Sequence, residues 1–244
     1  MRLSVIIITR NEASNIADCL ESVRFADEII VLDSGSDDDT VEIARRHGAR
    51  VTVAPDWPGF GPQKNRALDL ATGDWVLSLD ADERVTPELA GAIAQVLRQP
   101  EHDAYDMPRL SSFCGRFIRH SGWWPDRVLR LFRRGSARFS DDLVHEKLVA
   151  TGSIGHLEPH LIHYTYPDLD TAVAKMNRYS TDSARALHAR GRRASIGTAI
   201  GHGLWTFVRL YVFKRGFLDG RHGFLLAATA AAGSFYRYAK LSLL

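Results

Sequence analysis

Hydrophobic runs of two different periods alternate along the first hundred residues. This alternation restricts the fold more than any other feature of the chain. Residues 3–9 are a near-continuous apolar, β-branched run, as a buried parallel strand requires. Residues 14–24 follow with helical spacing, so that Ile16, Leu20 and Val23 share one face. A second strand is expected over residues 28–32, closed by Asp33. The polar cluster 36–39 offers N-caps for a helix over 41–47, and residues 50–53 read as a short third strand. A Gly/Pro-rich loop, 55–62, opens a helix over about 63–71. Gly73 ends it, and residues 75–79 form a fourth strand. Thr86 and Pro87 then supply the cap and first position of another helix. A βαβα order of this kind predicts an α/β fold, with an open, mostly parallel central sheet covered by helices on both faces.

From about residue 104 the pattern changes. Short segments rich in aromatics and arginine, at 105–109, 128–133, 146–149 and 157–164, read as a smaller mixed or antiparallel sheet. From Asp168 onward the chain is helical. One helix is expected to about Arg190, broken by Gly191-Arg192-Arg193, and two more over about 198–214 and 220–241. Three regions result: 1–103, 104–166 and a C-terminal helical region, 167–244.

Composition narrows the class. The chain has 244 residues, 45% hydrophobic and 25% charged, the proportions of a folded globular protein. Cys19 and Cys114 fit no metal or redox spacing, so both are expected as reduced thiols. The N-terminus enters a strand at once and soon meets Arg10, Asn11 and Glu12, unlike a secretory signal. No uncharged apolar run reaches the roughly 18–20 residues needed to span a bilayer. A cytoplasmic protein is expected on these grounds. Net charge is only +2, but it is unevenly spread. Between residues 185 and 222, Arg185, Arg190, Arg192, Arg193, Arg209, Lys214, Arg215 and Arg221 face the single acid Asp219. That basic, aromatic region predicts an anionic membrane surface as partner, the alternative being a solvated helical face or a helix packed on a partner subunit, as in a homo-oligomer. Nucleic acid is not expected, because the basic residues are segregated from an acidic N-terminal half.

In open α/β sheets ligands bind beyond the carboxyl ends of the strands. Here those ends carry Thr9 to Glu12, Asp33 to Ser36, and Asp80-Ala81-Asp82-Glu83. Crowding these acids on one rim requires a cation or hydrogen-bond donors to offset their repulsion. Side chains two apart on an extended strand exit point the same way, so Asp80 and Asp82 are expected to face one ligand. One would take a hard divalent cation, Mg²⁺ or Mn²⁺, and the other a ribose hydroxyl or a metal-bound water. An acidic turn capping the next helix is the plainer alternative. Asp33 suits a base N–H such as uracil N3, with Thr9 and Glu12 shaping the same pocket, or simply forms a turn. Lys64, at a helix start after a glycine-rich loop, suits a pyrophosphate.

The strings at residues 4–12, 31–40 and 77–83 resemble family 2 glycosyltransferases. The resemblance implies a GT-A fold, inversion at the anomeric carbon, and a nucleotide-diphospho-sugar donor used with Mg²⁺ or Mn²⁺. Thr9, Glu12 and Asp33 then look like nucleoside-binding positions, and Asp80 and Asp82 like the metal motif. Residues 59–65, 144–147, 163–166, 177–179 and 216–224 look like the lipopolysaccharide inner-core β-1,4-glucosyltransferase subfamily. This implies UDP-glucose as donor, a lipid-linked saccharide as acceptor, and a peripheral site on the cytoplasmic face of a bacterial inner membrane. Residues 1–103 would hold the nucleotide sugar and 104–166 the acceptor. A carboxylate near residues 141–146 serves as base in that family. Glu146 is the first choice and Asp142 the second, with His145 orienting Glu146 or touching the metal, and His163 a further metal or diphosphate candidate. Trp123, Trp124, Arg127, Arg130 and Arg133 suit a sugar phosphate, or equally the core and surface of a β-rich subdomain. A sugar nucleotidyltransferase would need a glycine-rich, arginine-containing loop after the first strand, where this chain has Thr-Arg-Asn-Glu-Ala. A non-catalytic sugar-nucleotide sensor would not need the full set of acids.

Overall fold

The computed structural model describes residues 1–140 and 147–244. The chain forms two compact units, one of residues 1–109 and 127–163, the other of 110–126 and 164–244.

The first unit opens with β1 (Leu3–Thr9), α1 (Ile16–Ser22), β2 (Glu28–Asp33), α2 (Thr40–Arg46), β3 (Arg50–Val53), α3 (Phe60–Asp69) and β4 (Trp75–Asp80). It continues through β5 (Glu83–Val85), α4 (Pro87–Arg98) and β6 (Ala104–Phe113). The four leading strands pair in parallel in the order β3-β2-β1-β4. The alternating β1 side chains explain why. Val5 and Ile7 pack with Ile16 and Leu20 of α1 and with Leu89 and Ile93 of α4. Ile6, on the other face, packs with Ala67 and Leu68 of α3. A strand buried on both faces admits only small polar residues between its ends, here Ser4 in β1 and Ser78 in β4, so charged groups are confined to its tips. Thr86 caps α4 by accepting from Leu89 N–H at 3.2 Å, with Pro87 at the first helical position, as expected.

Asp39, at the N-cap of α2, makes no side-chain cap bond. Asp38 accepts from the N–H of Thr40, the first residue of α2, at 3.1 Å, and also from the Thr40 hydroxyl and the Ala13 N–H; Asn11 N–H donates to Ser36 Oγ, and Asp37 N–H donates to Asn11 Oδ1. The cluster therefore laces the loop after β1 to the loop after β2.

After β7 (Arg116–Phe117), which pairs with the end of β6 in the second unit, the chain returns through β8 (Asp126–Arg133), β9 (Ala137–Phe139), β10 (Leu148–Ala150), β11 (Ile154–His156) and β12 (Leu161–Tyr166). Strand β8 lies antiparallel to β4, and β11 parallel to β6; β9 and β10 form a separate antiparallel pair. Strand β5 pairs antiparallel with β12, placing Glu83 opposite His163. Of these short strands, β5, β7, β9 and β11 were not foreseen, because two or three residues cannot display a period.

The second unit is mainly helical: α5 (Leu169–Ala189), α6 (Ile196–Val208) and α7 (Gly220–Leu241). Asp168 caps α5 through Thr171 N–H at 2.7 Å, and Ser195 and Thr198 form a reciprocal cap on α6. The helix expected over 198–214 ends earlier, at Val208. Residues Arg209–Phe213 widen into a π turn, with Lys214 N–H reaching back to the Arg209 carbonyl. A 3₁₀ turn, Gly216–Asp219, leads into α7. Gly223 is required there, since a Cβ would collide with the Gly216 carbonyl. Phe113, Ile118, Ala172 and Leu226 form this unit's core.

Candidate active site

The tips of β2, β1 and β4 lie side by side. Thr9 is paired with Asp33, and Ile8 with Asp80. Each strand turns polar at the same level, which is why the sheet rim gathers acids from three separate segments.

Asp33 is fully buried, and its carboxylate is saturated. Oδ2 accepts from the Thr9 hydroxyl at 2.8 Å and the Ser36 hydroxyl at 2.5 Å; Oδ1 accepts from the Gly35 and Ser36 N–H groups at 2.9 and 2.8 Å. Four donors occupy about the full acceptor capacity of a carboxylate. Asp33 holds the turn that presents residues 34–36, with Gly35 at φ 82°, and Thr9, also buried, is its partner. Gln63, fully buried at the start of α3, donates to Ser34 Oγ at 3.1 Å and fastens the same turn from behind.

The Asp-Ala-Asp motif is a turn, not an extended strand exit. Asp80 ends β4, and its N–H donates to Glu83 Oε2 at 3.0 Å, folding Ala81 and Asp82 over. The two carboxylates consequently take different partners. Asp80 pairs with Lys64 Nζ at 3.0 Å and with Arg130 at 2.7 Å. Lys64, expected at a pyrophosphate, is thus buried against Asp80, its Nζ 5.6 Å from the centre of the Phe139 ring. Arg130 also binds Glu83 Oε1 at 2.6 Å, and Arg109 approaches the same oxygen at 3.3 Å. Burial raises the Asp80 pKa, but Arg130 and then Lys64 outweigh it and hold the carboxyl well below its usual range. Burial alone would lower the Arg130 pKa, yet Asp80 and Glu83 push it up.

Asp82 faces elsewhere. Its Oδ2 lies 3.4 Å from Nε2 of His163, which the β5–β12 pairing brings across from residues far apart in sequence. Their side chains are 27% and 14% exposed, more open than Glu83 or Arg130. Among the described residues no group of three or more His, Cys, Asp or Glu side chains gathers as a metal cage. A carboxylate with one imidazole fits a divalent ion that retains water and substrate oxygens as its other ligands.

Glu12 sits half-buried beside this cluster and accepts from Asn15 Nδ2 at 2.9 Å. Burial raises its pKa, and the nearby Asp82, Asp38 and Asp80 raise it further, against the Asn15 bond. Ionising it therefore costs stability, and that penalty appears as pH rises past the normal carboxylate range. Glu12→Gln is expected to raise Tm by about 1–3 °C near pH 8 and by nothing near pH 4, in calorimetric scans at both values. An equal shift at both pH values would refute this. Asp142, His145 and Glu146 lie outside the described residues.

Two residues that sequence reasoning undervalued organise the site. Glu83 was read only as part of an acidic rim, and Arg130 as a phosphate ligand or surface group. Their burial depends on β8 lying beside β4, which no local pattern announces.

Residues 4–152 match the family described as Glycosyl transferase family 2. The chain is a family 2 glycosyltransferase. Similar proteins run nearly its whole length. The lipopolysaccharide core biosynthesis glycosyltransferase LpsC of Rhizobium meliloti is 31% identical over 253 residues, covering 98% of this chain and 91% of the relative. An uncharacterized glycosyltransferase of Rickettsia prowazekii is 32% identical over 253 residues, covering 98% and 86%. Among solved structures, S. aureus TarS 1–349 in complex with UDP-GlcNAc matches 100% of this chain and 91% of that one, with a TM-score of 0.53 at 16% identity. This likeness is one of fold. The glycosyltransferase has the GT-A architecture expected above, a mostly parallel sheet with a small antiparallel sheet and C-terminal helices.

Proposed function

We propose that this glycosyltransferase moves a hexose, glucose from UDP-glucose, onto a lipid-linked saccharide of the lipopolysaccharide-core type, with inversion and with Mg²⁺ or Mn²⁺. The observation that carries this reading is the division of labour in the Asp-Ala-Asp turn: Asp80 is neutralised by Lys64 and Arg130, while Asp82 lies 3.4 Å from the imidazole of His163. The name of LpsC and its match along nearly the full chain support the acceptor class.

In this reading, Thr9 and Asp33 act by holding the rim turn rigid, so that its backbone lines the nucleoside pocket. Glu12 closes the pocket on the other side. Lys64 and Arg130 fix Asp80 and bring positive charge close behind the diphosphate. Asp82, with His163, would hold the divalent ion, which supplies Lewis-acid stabilisation of the departing diphosphate. Direct displacement also needs the acceptor hydroxyl held on the opposite face of the anomeric carbon, and a carboxylate to take its proton as the C–O bond forms. Glu146 is assigned that proton, with Asp142 the alternative and His145 orienting the base.

Incubation of the protein with UDP-glucose and Mn²⁺ is expected to release UDP slowly without acceptor and faster with deacylated core oligosaccharide. Glu146→Gln is expected to lower the acceptor-dependent rate by about a hundredfold or more while leaving UDP binding unchanged in calorimetry. If the purified variant keeps most of its rate, Glu146 is not the base. If no UDP-sugar binds at all, the donor assignment fails.

A further inference from the structure

Helix α6 is unusual for a helix with a bare side. Its 13 residues, Ile196–Val208, include no charged residue. Ala199 and Gly203 are buried, Gly203 so close to Phe235 of α7 that a Cβ would crowd it. Away from that contact, Ile196, Ile200, Leu204 and Val208, spaced four apart, form an exposed ridge, with Leu204 65% exposed. Trp205, at 56%, widens it. The ridge continues through the π turn at Val212 and Phe213 and past it at Phe217 and Leu218, all exposed. Isolated exposed apolar residues are ordinary, but a continuous row of this length marks an interaction surface.

Charge identifies the occupant. Exposed Arg190, Arg192 and Arg193 stand before the ridge, and exposed Arg209, Lys214, Arg215 and Arg221 follow or interrupt it. From residue 183 to 244 the chain has ten Lys and Arg and one acid, Asp219. That acid is buried and engaged with His120 at 3.1 Å. A second copy pairing through this face would bring these cationic flanks against one another. An anionic lipid surface complements both features, since acyl chains accept the ridge and headgroups accept its cationic flanks. Helix α6 is only about 20 Å long, and no helix among the described residues is long and apolar enough to cross a membrane. An in-plane orientation is the one that buries the ridge.

We infer that α6 and the two turns after it form an interfacial docking edge for an anionic membrane surface, with Leu204, Trp205 and Phe213 entering the acyl boundary. The inference stands on this helical unit alone and holds whatever sugar is transferred.

The test uses the full chain and vesicles of phosphatidylcholine with and without one-third phosphatidylglycerol. Flotation is expected with the anionic vesicles and to weaken at least tenfold when salt is raised from 50 to 500 mM. Ile200→Glu with Leu204→Glu is expected to reduce partitioning by about a hundredfold. Bromo-lipid quenching of tryptophan fluorescence is expected to drop in Trp205→Phe. Both variants change exposed side chains, and unaltered melting curves and unaltered UDP binding would show that fold and donor site persist. The inference is overturned if the wild type does not float on anionic vesicles. It is equally overturned if flotation survives Ile200→Glu with Leu204→Glu, or if light scattering shows a dimer that this double variant dissociates while vesicles go unbound. Loss of donor binding with flotation intact would instead sink the proposed function and leave the docking edge standing.

Discussion

Asp82→Asn is expected to cut sugar transfer by about a thousandfold, equivalent to ~4 kcal/mol of transition-state stabilisation. Melting temperature should move by no more than about 2 °C. The two readouts separate because of where Asp82 sits. Its side chain is part-exposed, and its nearest partner is the His163 imidazole at 3.4 Å, so neutralising it strands no lysine or arginine. What is lost, in the proposed mechanism, is the negative oxygen that would hold a divalent ion against the diphosphate. Calorimetric titration of UDP with and without Mn²⁺ gives a second measure. The wild type should bind UDP more tightly with Mn²⁺ and the variant equally with and without it. Near-normal transfer by Asp82→Asn would remove the residue from the mechanism and with it the proposed role of the turn.

Arg130→Met should act in the opposite way, through the fold. Arg130 is buried between Asp80 and Glu83, and Glu83 is wholly buried. Removing the guanidinium leaves Glu83 with Arg109 and the Asp80 N–H, and Asp80 with Lys64. Breaking a buried ion pair by deleting one partner costs about 3–5 kcal/mol, or roughly 6–15 °C in Tm for a chain of this size. Glu83 should account for most of it, because the Asp80 side chain is 32% exposed and water screens part of its charge. The loss should depend on pH. In the wild type, Arg130 and Lys64 depress the Asp80 pKa, so the stabilisation is full above the ordinary carboxylate range and fades only well into acid. In the variant Asp80 loses the stronger of its two cationic neighbours and protonates more readily, so the gap in Tm should narrow as pH falls from 7 to about 4.5. A variant melting within about 2 °C of the wild type at pH 7 would show that the cluster is not a structural hub.

How much of this was legible beforehand follows from the range of the forces involved. The βαβα order, the tips of β1, β2 and β4, and the Thr86-Pro87 cap were readable because periodicity and capping are local. The acidic motif was likewise visible as a string, and so was its attachment to a strand end. Its conformation was not. Two carboxylates two residues apart face one ligand only if the backbone stays extended, and the Glu83 carboxylate bends it by capturing the Asp80 N–H. Asp33 is similar: a turn-forming residue and a ligand-binding residue are spelled alike, and the fold adds the four donors that hold its carboxylate in the turn.

The chain's own order of residues determined the α/β class, the helical C-terminal region, the family, and the strand ends on which chemistry would collect. Tertiary structure alone decided which acid pairs with lysine and arginine and which with an imidazole. That choice turns on Arg130, carried in on a strand antiparallel to β4, and on His163, delivered by the pairing of β12 with β5. Electrostatic partners are selected by distance in space, and pairings across dozens of residues leave no periodic trace in the segments they join.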